Sequence, residues 1–150
     1  MPTQSEFIGD HPVAPDQFAR WLTCNDIAVT ATKCHRALSG NIATDDTELI
    51  EWLARHLINH HYSDFRLQRL REKFGQLGFT QYAEENRKLP IADRTKKGNA
   101  TEVLLVEYVS KSLRKELTKV FKLKYNPNVD QAIKGDDTLM VDLQNIGGVD

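Results

Sequence analysis

The first candidate for a catalytic residue is Glu102, a carboxylate in the second half of the chain that is predicted to point inward. On a helix beginning at Ala100, Glu102 shares a face with Leu105 and Val106, so its side chain is aimed at the packed side of that helix. Asn99 and Glu102 also have the spacing of a capping box, in which the glutamate bonds back to the first backbone N–H. The sequence therefore leaves two roles for Glu102, a catalytic carboxylate and a helix cap.

A second carboxylate, Asp137, precedes a stretch that alternates like a strand. Leu139, Val141 and Leu143 occupy every second position, and this period places Asp137 on the same, buried face. The alternative is that Asp137 belongs only to a polar turn with the glycine and aspartate before it, since these are typical turn residues. On the strand interpretation, a second carboxylate points inward.

Two inward carboxylates on neighbouring elements suggest one shared cation. An ionised carboxylate is costly to bury unless a cation, a metal or several donors compensate its charge. Carboxylate oxygens suit magnesium, or manganese, and such a metal activates water for phosphodiester hydrolysis. Glu102 and Asp137 are therefore the candidate catalytic residues and the candidate metal ligands.

The candidates for binding nucleic-acid phosphates are Lys96, Lys97, Lys122 and Lys124. The last two alternate with the apolar residues Phe121, Leu123 and Tyr125, so a strand at this point would turn both lysines to solvent, where they could meet phosphates. A solvated lysine without a ligand is the commoner situation for any one of them.

Charge is uneven along the chain although the totals nearly cancel. The 20 basic and 21 acidic residues exclude the strongly basic composition of a histone-like binder. Residues 1–93 hold 10 basic and 13 acidic side chains, residues 94–124 hold 9 and 3, and residues 125–150 hold 1 and 5. A basic block thus lies beside an acidic one, as expected where cations bind a polyanion and carboxylates bind a metal, although solvated helices produce the same pattern.

The first half of the chain is predicted to be mainly helical. Asp45 and Glu48 form a capping pair before a periodic apolar stretch that predicts a helix to about His61. Ser63 is expected to cap a second helix that stops at Gly78, and a third is predicted over 81–89. Before Asp45, three prolines break any early helix, and a short strand is predicted over 27–29.

The second half changes to a mixed pattern. A polar, basic loop is predicted over 91–98, followed by a helix from Ala100 to about Lys115. Strands are predicted over 118–125 and 138–143, joined through a turn at 126–128. Together these elements predict an α/β chain of the α+β kind, with a helical region at 1–93 and a second region at 94–150. The Gly147-Gly148 turn leads us to expect a further strand after Asp150.

The segments Lys97–Tyr108 (KGNATEVLLVEY) and Tyr125–Asp137 (YNPNVDQAIKGDD) resemble the HamA family of Hachiman anti-phage defence and its relative, anti-bacteriophage protein A. The resemblance is strongest from about Lys97 to Leu143. It implies a PD-(D/E)xK nuclease core with the order helix, strand, strand, strand. Glu102 and Asp137 then match the helix glutamate and the second-strand aspartate. The chain departs from the pattern in that its third strand, with the acidic-x-Lys pair, is missing.

The resemblance also implies a function. It points to the metal-dependent DNA nuclease effector of a bacterial anti-phage system, held inactive by a DNA helicase encoded nearby, to which the helical region docks. This chain has no phosphate-binding loop of its own, so energy-dependent sensing would come from the helicase. Without the third strand, the chain by itself is expected to be inactive. The competing hypothesis is a non-catalytic subunit that retains the nuclease fold to bind nucleic acid or a partner.

Other classes of site are less favoured by the sequence. His56 and His60 have i, i+4 spacing beside His61, but the glutamate of a metalloprotease helix is absent. Cys24 and Cys34 lack CxxC spacing, and two cysteines are too few for a disulfide-built domain. There is no GxSxG motif of serine hydrolases. Because no apolar run approaches 18 residues and the first residues do not form a signal peptide, no membrane contact and a cytoplasmic location are predicted.

Overall fold

The computed structural model describes residues 4–30, 35–41, 43, 45–62, 64–78, 90–113, 117–125 and 139–143. The helices are α1 Gln4–Ile8, α2 Gln17–Trp21, α3 Thr47–His61, α4 Asp64–Gln76 and α5 Asp93–Ser112, with a short 3-10 helix at Lys122–Tyr125. The strands are β1 Leu22–Asp26, β2 Arg36–Gly40, β3 Thr118–Lys119 and β4 Met140–Val141. Helices combined with small antiparallel sheets confirm the predicted α+β class.

The chain groups into two compact units, and each draws on both halves of the sequence. Unit 1 comprises Met1–Glu51, Leu105–Lys119 and Met140–Asp150, and unit 2 comprises Trp52–Leu104 and Val120–Leu139. Helix α5 therefore contributes its first part to unit 2 and its last part to unit 1. The predicted division of the chain into regions 1–93 and 94–150 stays a prediction.

The core of unit 1 is built around aromatic side chains. Asp16 caps α2 by accepting a 2.8 Å hydrogen bond from the Phe18 backbone N–H, and this short helix buries Phe18 and Trp21, three residues apart. The ring of Phe18 meets that of Tyr108 edge-on at 5.3 Å between centroids. This contact fixes α2 against the C-terminal part of α5.

The N-terminal segment is attached to the end of α5. The backbone N–H of Asp10 donates a 3.0 Å hydrogen bond to the carbonyl of Ser112, the last residue of the helix. Gly9 has a φ of 74°, and a Cβ at this position would overlap the Ser112 carbonyl oxygen. The close approach of the two backbones therefore requires glycine.

Strands β1 and β2 form an antiparallel pair with a register from Leu22↔Gly40 to Asp26↔Arg36. The strand predicted over 27–29 is wrong, because β1 occupies the five residues before this stretch and ends at Asp26. The apolar triplet at 27–29 suggested a strand from composition alone. The partner strand decides which residues form a strand by pairing with them, and local composition does not reveal where that partner lies.

Helix α3 confirms the helical period predicted after Asp45, but its cap differs by one residue. The side chain of Asp46, rather than Asp45, accepts a 3.0 Å bond from the Leu49 backbone N–H. Glu48 reaches away to Arg20, at 2.7 Å. The predicted Asp45–Glu48 capping pair is therefore wrong, because the Glu48 carboxylate is bonded to Arg20 of another helix.

Helix α4 confirms the second predicted helix of the first half. It ends at Gln76, and Gly78 follows with a φ of 75°, a conformation that glycine adopts without steric cost. The helix predicted over 81–89 lies outside the described residues.

Helix α5 begins seven residues earlier than predicted and ends at Ser112. The loop predicted over 91–98 is therefore wrong from Asp93 onward. Lysines are good helix formers, an aspartate suits the first turn, and Lys96 contacts Asp93 at 3.4 Å. The polar composition of this stretch marks a solvated helix rather than a loop.

The predicted strand over 118–125 is correct only at its start. β3 pairs with β4 through Thr118↔Val141 and Lys119↔Met140, which confirms the central part of the second predicted strand. The chain then enters the 3-10 helix, in which Leu123 is buried and its two neighbouring lysines are half-buried. In this helical turn three successive side chains are buried or half-buried, whereas in a strand buried and exposed side chains would have alternated. Residues 126–128 and 147–148, both predicted turns, lie outside the described residues.

None of the helices in the described ranges combines the length and the apolar character needed to cross a membrane.

Candidate functional site

Glu102 is the tenth residue of α5 and lies in unit 2. Its side chain is 18% exposed, and one carboxylate oxygen, Oε2, is 3.1 Å from Nζ of Lys122 in the 3-10 helix. The lysine side chain is exposed to the same extent. The structure thus places Glu102 in a partly enclosed position where its charge is compensated by a cation from the chain itself.

The capping interpretation of Glu102 is wrong. Its proposed partner, Asn99, lies inside α5 rather than before it, because the helix begins at Asp93. The Asn99 side chain is buried, and its Nδ2 is 3.1 Å from Nε2 of His61 on α3. The asparagine at this position is explained by its buried hydrogen bond to a histidine of another helix, and not by capping of its own helix.

His61 connects α3 to α5 as a neutral ring. Its Nδ1 donates a 2.7 Å hydrogen bond to the Leu57 carbonyl, and its Nε2 accepts from the Asn99 amide. Burial lowers the pKa of His61 below its ordinary value of 6.5. Both ring nitrogens are therefore committed to the fold.

The neighbouring His60 is also buried, and it packs on an aromatic ring. Its imidazole meets the ring of Phe121 edge-on, at 4.6 Å between centroids. On the same phenyl ring, Nζ of Lys124 lies 4.1 Å from the centroid, a cation–π contact. This arrangement fixes the 3-10 helix against α3 within unit 2.

The four candidate lysines have different surroundings. Lys96 and Lys97 are exposed on the first turns of α5. Lys122 and Lys124 were expected on the solvent face of a strand, but they lie in the 3-10 helix, one beside Glu102 and the other over Phe121. That expectation about their orientation is wrong. Their binding to nucleic acid stays a prediction.

The described residues supply only part of a metal site. Glu102 offers the hard oxygen ligands that magnesium prefers, whereas Asp137 lies outside the described residues. Within the described ranges, no three His, Cys, Asp or Glu side chains come together as a metal-binding group. This holds for the histidines and Cys24 weighed as zinc ligands as well, while Cys34 lies outside those ranges.

A buried carboxylate that the sequence interpretation missed is Glu107, in the unit 1 part of α5. Its side chain is 3% exposed, and Oε2 is 2.7 Å from Nζ of Lys119 in β3. The signal was present in the sequence, because Glu107 lies four residues after Val103 and next to Val106, both of which are buried.

The sequence interpretation also missed a closed polar cluster in unit 1, around Arg36. The guanidinium, 5% exposed, bonds both carboxylate oxygens of Asp26 and donates to the Gly9 carbonyl at 3.0 Å and to the Tyr108 hydroxyl at 3.1 Å. Nδ1 of His11 lies 3.0 Å from the same hydroxyl. The hydrogen bonds from Arg36 lower the pKa of Asp26, while burial raises the pKa of Tyr108. Arg36 and its partners come from four separate segments, which no local pattern connects.

With this geometry established, comparison with known proteins decides the family. A family model described as HamA matches residues 16–148. The chain belongs to the HamA family. The match includes most of the helical first half, whereas the resemblance noted in the sequence is strongest from about Lys97 to Leu143.

One curated relative of the HamA family shows how much of a full protein is present here. The chain is 38% identical over 144 residues to a protein of Bacillus cereus named Hachiman protein HamA. The alignment covers 94% of this chain and 52% of that relative. The chain thus spans about half the length of the HamA protein it matches. No solved structure matches the chain.

Proposed function

We propose that this chain is part of the nuclease effector of a bacterial anti-phage defence system, acting in the cytoplasm on DNA. Its membership of the HamA family, established over residues 16–148, carries the proposal. The reaction would be metal-dependent hydrolysis of phosphodiester bonds, with Glu102 and Asp137 as the ligands of magnesium or manganese.

The surroundings of Glu102 support this role. The carboxylate is partly enclosed yet still exposed to 18%, so a phosphate or an ion can reach it. Lys122, at 3.1 Å, compensates the charge of the carboxylate and orients it. A bound magnesium would supply a water of lowered pKa and stabilise charge on the phosphate. The chain's own contribution is to position that oxygen and a cation on one side of α5.

The proposal needs a third core strand with an acidic-x-Lys pair beyond Asp150. The Bacillus cereus relative is about twice as long as the region aligned with this chain. Reading the natural gene past residue 150 tests this directly. A Glu-x-Lys or Asp-x-Lys strand within the next few dozen codons is expected, and its absence would favour a non-catalytic protein.

Substitutions in the protein at its natural length test the catalytic assignment. Glu102→Gln and Asp137→Asn remove charge without changing shape, so each should lower magnesium-dependent DNA cleavage by on the order of 100-fold or more while the protein stays folded. Glu51→Gln, at an exposed position of α3, is the matched control and should cut normally. Cleavage at the normal rate by Glu102→Gln would contradict the assignment.

A second function, in another class, has one observation in its favour. Because Lys122 already compensates the charge of Glu102, the carboxylate does not require a metal in order to be accommodated. A non-catalytic subunit that retains the fold to bind nucleic acid or a partner is therefore the alternative. It predicts that no metal ion produces cleavage and that Glu102→Gln changes only stability.

The proposed partner is a DNA helicase encoded nearby, which would restrain the nuclease until invading DNA is sensed. The helices α3 and α4 are the proposed docking elements. Ile50, which is 47% exposed on α3 and is followed by Glu51, offers an apolar contact on that helix.

Co-purification with the adjacent gene product tests this partner. Ile50→Asp should weaken the complex without unfolding the protein, because about half of the residue's surface is already in contact with water. Ile91→Asp, at an exposed position before α5, is the control and should leave the complex intact. Separate elution of the two unmodified proteins at micromolar concentration would contradict the assignment of these helices.

A further inference from the structure

Tyr125 is the most exposed large side chain beside the candidate site. It is the last residue of the 3-10 helix, and 81% of its surface is accessible to solvent. The other residues of that helix are buried or half-buried. An aromatic ring exposed at the end of an otherwise enclosed turn has both of its faces accessible to a ligand.

The geometry of the 3-10 helix places this ring close to Glu102. With three residues per turn, side chains three apart lie one above the other, separated by a rise of roughly 6 Å. Lys122 and Tyr125 have this spacing, and Lys122 is the residue that contacts Glu102. The exposed ring is therefore one turn away from the lysine that contacts the carboxylate proposed to act on phosphates.

Basic residues lie beside the ring in the same helix. Lys122 and Lys124 belong to the same turn, and unit 2 as a whole has thirteen basic and nine acidic residues in its sequence. Within the chain their ammonium groups contact Glu102 and the Phe121 ring, and a segment of apolar protein would add no acceptor to either group. A strand of nucleic acid offers bases to the ring and phosphates to the lysines.

We propose that Tyr125 stacks on an unpaired base of a single-stranded nucleic acid and so makes the site selective for single strands over duplex. The inference rests on the proposed nuclease function, and it names the substrate class of that site. Bases inside a duplex are already stacked on their neighbours and cannot cover the tyrosine ring, whereas an unpaired base can. Lys122 and Lys124 would hold the phosphates on either side.

Binding measurements test this without requiring catalysis. The natural-length protein carrying Glu102→Gln is titrated, with magnesium present, into fluorescein-labelled dT12, the RNA U12 and a 12-base-pair DNA duplex. We expect one or both single strands to bind more tightly than the duplex. Tyr125→Leu should weaken that binding by about tenfold, in the range for one base–aromatic stack, and leave duplex binding unchanged.

Two controls separate stacking from apolar contact and from general disturbance. Tyr125→Phe keeps the ring and should bind single strands within about twofold of the parent, whereas leucine keeps only the apolar surface. Ile91→Ala, at a residue 79% exposed in the same unit, should have no effect. Equal affinity for single strands and duplex, or equal binding by the leucine and phenylalanine variants, would overturn the proposal.

The outcome is distinguishable from failure of the proposed nuclease activity. If unmodified protein cuts DNA but Tyr125→Leu binds and cuts single strands normally, the nuclease stands and the stacking role is wrong. If single-strand binding depends on the ring but no metal produces cleavage, the stacking role stands in a protein that binds without cutting.

Discussion

The two units use buried ionic contacts in different ways. In unit 1, Arg36 is almost fully enclosed and its guanidinium is bonded by Asp26, Tyr108 and Gly9. In unit 2, Glu102 and Lys122 compensate each other while each remains partly open to solvent. The sequence of unit 1 holds twelve acidic and seven basic residues, the reverse of the balance in unit 2.

This difference indicates which unit stabilises the fold and which can exchange partners. A guanidinium held by three fixed acceptors cannot give up one of them without leaving a buried polar group unpaired. In an ion pair whose two side chains both keep contact with water, water or a ligand can take over the bonds of either partner. The contacts of Arg36 therefore serve the fold, whereas the Glu102–Lys122 pair can exchange its partner at a smaller cost.

Replacing Arg36 should produce the largest loss of stability. Arg36→Met removes the donors that satisfy Asp26, the Tyr108 hydroxyl and the Gly9 carbonyl, so the free energy of unfolding should fall by about 2 kcal/mol. Urea denaturation measures the loss. The matched control is Arg20→Met, since Arg20 pairs with Asp46 and Glu48 at the surface. If the Arg20 variant lost as much as the Arg36 variant, the contrast between closed and exposed pairs would fail.

Acid should destabilise unit 2 before unit 1. The lowered pKa of His61 means that the unfolded chain binds a proton more readily than the folded one, so stability falls as the pH drops below 6.5 toward the folded pKa. The pKa of Asp26 is lowered by its bonds to Arg36, so its stabilising contribution is present above the ordinary value of 3.8 and is lost only below it.

Each unit carries one tryptophan, which allows the order to be measured. Trp21 belongs to unit 1 and Trp52 to unit 2. In Trp21→Phe and Trp52→Phe variants, the fluorescence of the remaining tryptophan is followed in urea from pH 7 to pH 3. The midpoint reported by Trp52 should begin to fall at the higher pH. Parallel curves, or an unchanged pH dependence in a His61→Gln variant, would exclude this order.

The smallest effect is expected at the partly open pair. Lys122→Met should change the free energy of unfolding by about 0.5 kcal/mol, because both side chains keep contact with water. A double-mutant cycle with Glu102→Gln isolates the coupling between the two residues. A coupling as large as the loss at Arg36 would show that this pair is closed as well, and that unit 2 does not differ from unit 1 in this respect.

The parts of the fold that follow from local periodicity were predictable. Helices α3 and α4 repeat apolar residues at helical spacing, and Gly78 marks the end of the second. The start of α5 was missed because Asn99 is a good cap residue, and its actual partner, His61, is 38 positions away. Local preference cannot indicate a hydrogen bond of that sequence separation.

The site was predictable only in part for a related reason. The partly enclosed position of Glu102 was predictable from its place on the apolar face of a helix, and its catalytic role stays a prediction. Its partner Lys122 was assigned to solvent, since alternation from Phe121 to Tyr125 satisfies a strand as well as a 3-10 turn. The cluster around Arg36 brings together residues as far apart as Gly9 and Tyr108, and neither spacing nor composition encodes that meeting.

The attachment of Gly9 and Asp10 to the end of α5 has a consequence for biosynthesis. The acceptor, Ser112, is made about a hundred residues after the donor, Asp10, which at roughly 5–20 residues per second takes on the order of 5–20 s on the ribosome. Throughout that interval the Asp10 N–H lacks its native acceptor, while the β1–β2 hairpin can already form from adjacent sequence. Unit 1 is thus begun first and completed last, with most of unit 2 synthesised in between.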